Sequence, residues 1–497
     1  MVIGLILFPV LMAAIAFAIP WARARVLLLP ITGVVHLALT VATWWRPDLA
    51  QGTDWLALDA LGRIVLLLIS VVFMLCSIYA VGYLGYRRGR SSRIFCGCML
   101  VMLGMMSLVA WSHHLGLMWV GIEATTLSAA PLIYFNKTAR SIEATWKYLL
   151  VGSVGIALAL LGSFFLAYAS LHAGMQATLD LDDLLRNAPT LSTPWLHAAF
   201  VLLLVGYGTK MGLAPMHTWK PDAYGEAPGM VGAMLAGGVT SCAFLAILRV
   251  YQVCAAAGPP HAHYAGRMLV FMGLVSMAIA GIFMVGQRDF KRMLAYSSVE
   301  HMGILILGIG LGASAPAAGP GSLALRGATF GALLHLVNNG LAKGVMFLSA
   351  GNIHRAYDSK STDEVRGAMR RLPVSGSLFL IGFIAVTGSP PFGPFISEFT
   401  ILNSALGGGR YLVSAIFLLL LLVVFIGMGA TVLAVVQGSD SGHGKGPQAR
   451  LGGYRDDFLT TAPILLFMAC VLMLGVYIPE PLRATLEEAA RLLEVRE

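Results

Sequence analysis

The chain is dominated by apolar segments that are long enough to cross a membrane. A hydrocarbon core about 30 Å thick is spanned by about 20 helical residues. Fourteen segments approach that length, at 2–20, 26–45, 61–84, 94–111, 115–135, 147–171, 197–216, 229–252, 267–286, 293–312, 327–351, 376–405, 411–437 and 459–478. They lack the alternation of apolar and polar residues that marks membrane β-strands. The sequence therefore predicts an all-α polytopic membrane protein with about 14 transmembrane helices.

The charged residues outside these segments carry a topology signal. Only 11% of the residues are charged, whereas a soluble domain has about 25%. Alternate loops hold 21 lysines and arginines, Lys220 among them, and the opposite loops hold six. Because a basic excess marks the cytoplasmic side, we expect both termini on the outer side of a bacterial inner membrane. The net charge of +9 then follows from topology, with the lipid bilayer and not nucleic acid as the partner.

Seven ionisable residues lie inside segments that otherwise have the character of membrane helices. They are Glu123, Lys210, Glu300, His301, His335, Lys343 and Glu398. A charge at the bilayer centre costs at least about 2.5 kcal/mol, so such residues usually have a partner or a function. The recurrence of acids and bases favours a proton path over one structural ion pair. A neutral Glu123 bonded to Ser or Thr, and a Lys210 that snorkels to the surface, are the alternatives.

Two of the fourteen segments are interrupted. Glycines at 206, 208 and 212 flank Lys210 in the seventh segment and Pro215 follows it, and a proline cluster at 390–394 precedes Glu398 in the twelfth. Proline excludes a straight helix, and irregular backbone at membrane depth needs protein or a water-filled cavity beside it. Because the two breaks lie five segments apart, we predict two five-helix repeats, each forming a half-channel.

The predicted organisation has four parts. Residues 1–93 form helices 1–3, residues 94–252 the first repeat and residues 267–437 the second repeat. Residues 438–497 form a Gly-rich cytoplasmic linker, the last transmembrane helix and a short amphipathic tail. A second short amphipathic helix is expected in the loop at 172–194. The first segment has no basic residues before it, which predicts a retained helix and not a cleaved signal peptide.

The second repeat holds the denser group of polar residues. His335 and Lys343 are eight residues apart, so they share a helix face at about 12 Å. Histidine titrates near neutrality and can pass protons between acids and bases. Polar contacts that merely join helices are the alternative. Glu300 and His301 follow three basic residues and are expected nearer the cytoplasmic surface, with a direct role left open.

Four motifs resemble those of one family of membrane subunits. They are PMHTWKPDAYGEAP after Lys210, KRMLAYSSVEHMG at 291–303, HLVNNGLAKGVMFLSAGNIH, and GSPPFGPFISEF. The family comprises the antiporter-like subunits of complex I, of multi-subunit sodium/proton antiporters and of energy-converting hydrogenases. WKPDAYGEAP and SSVEHMG are most similar to the hydrogenase-4 component F branch. The resemblance implies fourteen helices, with two inverted five-helix repeats that contain broken helices 7 and 12.

The resemblance also implies roles for individual residues. Glu123 matches the family's fifth-helix glutamate, which pairs with the seventh-helix lysine, here Lys210. His335 and Lys343 match relay positions of the eleventh helix, and Glu398 matches the terminal carrier of the twelfth. Asp222, within the WKPDAYGEAP motif, is a candidate supporting residue.

One departure from the family pattern concerns the centre of the path. Many members carry a lysine in the eighth helix that links the two half-channels, and Ser241 aligns with it here. Proton transfer across the centre would then need water held by Thr240 and Ser241, or a lateral histidine.

These features together predict a proton-translocating antiporter-like subunit of a multi-subunit redox complex. This chain would carry no catalytic centre, cofactor or metal, so whether it counts as an enzyme depends on the whole complex. Iron–sulfur clusters, with a nickel–iron site as an open possibility, would belong to peripheral partner subunits alongside further membrane subunits. The alternatives are a subunit of a cation/proton antiporter without redox partners, and a mainly structural subunit.

Overall fold

The computed structural model describes residues 2–46, 52–86, 92–314, 320–438 and 454–495. Within those ranges the chain forms α-helices and no β-strand. The helices of the first half are α1 (Val2–Ala18), α2 (Ala22–Trp45), α3 (Ala60–Tyr86), α4 (Ser92–Trp111), α5 (Leu115–Ile133), α6 (Ala139–His172), α7 (Leu181–Arg186), α8 (Thr193–Met211), α9 (Trp219–Glu226), α10 (Gly229–Met234) and α11 (Thr240–Ala256). The helices of the second half are α12 (Pro259–Met284), α13 (Phe290–Ala313), α14 (Pro320–Tyr357), α15 (Ala368–Arg371), α16 (Pro373–Val386), α17 (Gly393–Gly407), α18 (Tyr411–Val436), α19 (Phe458–Val476) and α20 (Glu480–Arg491).

Both predicted interruptions are present. Helix α8 ends at Met211, Gly212 adopts a left-handed conformation with φ +82°, and the chain becomes helical again in α9. Helix α16 ends at Val386, Gly388 has φ +68°, and α17 follows. Glycine adopts this conformation without the steric cost of a Cβ atom, so each turn can end a helix in the protein interior.

The helices that carry the candidate charges lie in the interior of the molecule. The most apolar stretch of 229–256 is entirely buried and contains a π-helical turn at Leu235–Val239 between α10 and α11. The corresponding stretch of α13 is 94% buried, whereas those of α2, α6, α12 and α18 are 39% buried. The outer helices thus present apolar side chains to the surroundings and enclose the polar interior.

Polar side chains join the N-terminal helices to one another. His36 of α2 bonds to Ser70 of α3 at 2.9 Å and to Ser107 of α4 at 2.8 Å. Such interhelical hydrogen bonds are typical of packing inside membranes, where the hydrophobic effect does not drive helices together.

The helical fold class and the membrane assignment are confirmed. Ten helices of the described ranges are long and apolar enough to cross a membrane. The count of fourteen, the inverted repeats, the four-part division and the orientation of the termini stay predictions. The predicted amphipathic segments are helical, as α7 and as α20, whose Leu482, Leu486 and Ala489 are buried. The Gly-rich linker lies outside the described residues apart from Gly438.

Candidate functional site

The first cluster of buried charges is centred on Lys210. The end of α8 places its side chain in the interior, with 2% of its surface exposed. Its Nζ lies 3.5 Å from Oε2 of Glu123 and donates a hydrogen bond of 2.6 Å to Thr126 Oγ1, both on α5. The predicted pair of Glu123 and Lys210 is therefore present, and Lys210 does not snorkel to the surface.

Helix α6 forms the wall of this cluster. The Lys210 Nζ lies 5.7 Å from the centre of the Tyr148 ring. A Cβ atom at Gly152 would stand 2.6 Å from the same Nζ. A side chain at residue 152 would therefore displace the lysine ammonium from its position beside Glu123 and Thr126.

The second cluster joins α13, α14 and α17. His301 Nδ1 and His335 Nε2 are 3.0 Å apart, and His335 Nδ1 lies 2.9 Å from Ser397 Oγ. His301 Nε2 lies 3.4 Å from Oε2 of Glu300. Because every neighbouring pair includes a titratable ring or carboxyl, the arrangement can pass a proton along three helices.

Glu300 and His301 are enclosed by the protein. Each is at most 2% exposed, and their distance from the cytoplasmic surface of the membrane stays a prediction. The helical register of α13 turns both side chains inward, although Arg288, Lys291 and Arg292 precede them in sequence.

Lys343 and Glu398 complete the second cluster. Lys343 is fully buried, and its Nζ donates a 2.6 Å hydrogen bond to Ser297 Oγ. The charges of Glu300 and Glu398 both act on it. Glu398 is 5% exposed. Its carboxyl occupies the space that a Cβ atom at residue 388 would need, and residue 388 is a glycine. The break between α16 and α17 thus makes room for this carboxyl.

Ligand atoms of His301, His335 and Glu398 all lie within 4.8 Å of one another. A metal ion could use such a spacing. Both nitrogens of His335 are, however, already engaged by His301 and Ser397, which favours proton exchange over metal binding.

The expectation that Thr240 and Ser241 hold water between the two clusters stays a prediction. The Thr240 and Ser241 hydroxyls donate to the carbonyls of Ala236 and Gly237 in their own helix, at 2.6 and 2.7 Å. Their protons are therefore committed to the π-helical turn.

Two further basic residues correct the sequence analysis. Lys220, counted there as a loop residue, is fully buried. Arg249, overlooked in the eighth segment, is also buried and binds Asp59 at 2.5 and 2.7 Å. The signal that could have identified Lys220 as buried is the proline that directly follows it within an interrupted segment.

Asp222 lies away from the buried clusters. It pairs with Lys147 at 2.9 Å and with Arg292, at a polar cavity of about 790 Å³. The cavity also borders on Arg140, Glu143 and Lys360. These ion pairs join Asp222 of α9 to α6 and α13. A part for Asp222 in proton transfer stays a prediction.

Comparison with known proteins identifies the family. The family model described as NADH:quinone oxidoreductase/Mrp antiporter, transmembrane, matches residues 112–425, which is more than half of the chain. The chain belongs to this family. It is thus an antiporter-like, multi-pass membrane subunit, as the motifs predicted.

Individual relatives agree with this assignment. The chain is 34% identical to a hydrogenase-4 component F homolog of Methylacidiphilum infernorum over 430 residues, covering 85% of each chain. It is 30% identical to NADH-quinone oxidoreductase subunit N of Desulforudis audaxviator, covering 81% of this chain and 78% of the relative. A chain of the Mrp complex from Dietzia sp. DQ12-45-1b has the same fold, with a TM-score of 0.83, 19% identity, and 99% and 97% of the two chains covered.

Proposed function

We propose that the chain translocates protons within a multi-subunit redox complex whose other subunits transfer electrons. The observation that carries this proposal is the ion pair of the buried Lys210 with the half-buried Glu123, 3.5 Å apart, beside an interrupted helix. A desolvated acid and base at this distance can exchange a proton, whereas a purely structural position would be filled at lower cost by apolar side chains.

The pair can couple movement to proton transfer. In a low dielectric, separating or joining two opposite charges changes the proton affinity of both groups. An electrostatic change in the partner subunits would shift the Glu123–Lys210 pair and move its proton toward the second cluster. His301, His335, Lys343 and Glu398 would then carry it onward.

The sequence relatives support a redox partner. The relatives of at least 30% identity described above are named as components of a hydrogenase and of an NADH-quinone oxidoreductase. We infer that iron–sulfur clusters, and a nickel–iron site if the complex is a hydrogenase, lie in peripheral subunits. The role of this chain is confined to proton movement.

Purification separates this proposal from the cation/proton antiporter, whose fold the chain shares. An affinity tag on this chain, in mild detergent, should recover subunits that contain iron and acid-labile sulfide. Recovery of antiporter subunits alone, without iron, would contradict the redox assignment.

Proton uptake by everted membrane vesicles tests the proposed path. Vesicles are energised in parallel with NADH, formate or reduced methyl viologen, and uptake is followed by quenching of a pH-sensitive acridine dye. Lys210→Ala and Glu123→Gln should abolish the uptake that depends on this chain while the complex stays assembled. Lys137→Gln, at an exposed lysine, is the control and should have no effect. Normal uptake in both cluster variants would refute the role of the pair.

A further inference from the structure

We propose that Lys220 connects the two clusters and takes the place of the eighth-helix lysine that many family members carry. This inference rests on the proposed function and adds to it the residue that spans the centre. It follows from where the break after α8 places this side chain.

The break builds a specific site for Lys220. The side chain is fully buried, and its Nζ donates a hydrogen bond of 2.8 Å to the carbonyl of Met211, the last residue of α8. A Cβ atom at Gly212 would lie 2.8 Å from this Nζ and 2.5 Å from Cδ. Gly212 therefore serves twice, since it ends α8 and leaves room for the lysine.

On one side, Lys220 adjoins the first cluster. Its Nζ donates to the carbonyl of Met211, the residue that directly follows Lys210 in the chain. The Lys220 Nζ lies 5.6 Å from the Tyr224 ring. The rings of Tyr224 and Tyr148 both pack against Trp219, with ring centres 6.0 and 5.0 Å from it. Tyr148 in turn faces Lys210, so buried polar groups extend from Lys210 to Lys220.

On the other side, Lys220 adjoins the second cluster. The Tyr224 ring beside Lys220 packs against Phe347 of α14, about one helical turn after Lys343, with ring centres 5.4 Å apart. Lys220 is close enough to this cluster for its charge to oppose those of Lys343 and His301. The Tyr224 hydroxyl lies beside Ser298, and both are buried without a completed hydrogen bond in the described part of the chain. The neighbouring Ser297 binds Lys343. The titratable groups that face Lys220 are thus His217, Tyr224, His301 and Lys343.

The repulsion between Lys220 and Lys343 couples the protonation of one lysine to that of the other. Two ammonium groups in a low-dielectric interior oppose each other's charge. A proton that leaves Lys210 and reaches the neutral amine of Lys220 therefore favours loss of the proton held by Lys343 toward Glu398. Lys220 becomes neutral again when it passes its proton to Lys343. A helix cap alone would need a donor to Met211 but no titratable group.

Two substitutions separate a relay from a cap. Lys220→Arg keeps a charged donor that does not release its proton, and Lys220→Gln keeps a neutral donor. A relay predicts that both lower the initial rate of proton uptake in everted vesicles by about 100-fold. The matched controls are Lys291→Arg and Lys291→Gln, because Lys291 is also buried and donates to a carbonyl, that of Ala227, at 2.5 Å. These should retain uptake.

A gain of function completes the test. Ser241→Lys returns a titratable lysine to the position found in the family, and in the Lys220→Gln background it should restore uptake. Assembly is checked by co-purification of the partner subunits. Wild-type uptake by assembled Lys220→Arg and Lys220→Gln complexes would overturn the inference, as would an assembled Lys220→Gln/Ser241→Lys complex without uptake.

These results also distinguish the inference from the function on which it rests. If deletion of this chain leaves the proton uptake of the vesicles unchanged, the proposed function fails. If uptake depends on the chain but not on Lys220, the inference alone fails.

Discussion

Lys210 depends on the absence of a side chain at residue 152. Its ammonium occupies space that a Cβ atom at Gly152 would approach to 2.6 Å. The lysine can yield, because its end is flexible, but only by leaving Thr126 and Glu123. Position 152 therefore controls the geometry of the pair without being titratable.

A Gly152→Ala variant should lower proton uptake severalfold while the protein still folds. Alanine raises helix propensity by about 1 kcal/mol relative to glycine, so lost activity would reflect the displaced ammonium and not a weaker helix. Gly85→Ala is the control, since a Cβ atom there meets nothing within 4 Å. Equal uptake by the two variants would show that the position of the lysine is unimportant.

For single residues, the sequence predicts which charged side chains belong to the site better than it predicts how deeply they are buried. Glu123 and Lys210 stand out because long apolar runs surround them. Lys220 does not, because a lysine beside a break and a proline has the same local pattern as a loop residue. Its burial depends on the left-handed turn at Gly212, which returns α9 to the end of α8.

Among the elements, α3 and α11 are joined by a buried ion pair. Arg249 of α11 is fully buried and makes two hydrogen bonds to Asp59, directly before α3. Burial by itself would raise the pKa of the Asp59 carboxyl, but the charge and hydrogen bonds of Arg249 outweigh this and lower that pKa to about 2. The ion pair thus joins α11 to the start of α3.

Removal of the carboxylate should destabilise the protein. Asp59→Asn leaves a buried guanidinium without its counter-charge, which costs about 3 kcal/mol. Thermal unfolding in detergent should show a lower Tm, and Asp59→Asn/Arg249→Met should recover part of the loss. An unchanged Tm in the single variant would contradict the role of the pair.

The same pair predicts a pH dependence of stability. The native pKa of Asp59 lies below the value of about 3.9 for an unfolded chain, so the pair contributes fully above about pH 4. Its contribution is lost as the pH falls from about 4 towards 2. The Tm difference between wild type and Asp59→Asn should narrow over that range.

The breaks in the helices are the elements that the sequence predicts most directly. Glycine and proline act on the local backbone, so their effect at Gly212 and at 390–394 needs no knowledge of the fold. The π-helical turn at Leu235–Val239 is less directly predicted, since Gly237 and Gly238 weaken a helix but do not specify a π-helical turn. The hydroxyls of Thr240 and Ser241 donate hydrogen bonds to backbone carbonyls of this turn.

For the whole molecule, the long apolar segments predict a helical membrane protein, and the family match confirms it. What they leave open is which charged groups meet. Glu300 and His301 join His335 only because α13 and α14 pack side by side in the interior. Such contacts between distant segments depend on helix packing, which hydropathy does not specify.

We propose that buried side chains of this chain carry protons, and that electron transfer in the partner subunits drives this movement. The most direct measurement is the number of protons taken up per electron by the purified complex in proteoliposomes. Lys343→Ala should lower this ratio while electron transfer continues, and Lys137→Gln should leave it unchanged. An unaltered ratio in assembled Lys343→Ala complex would contradict the account.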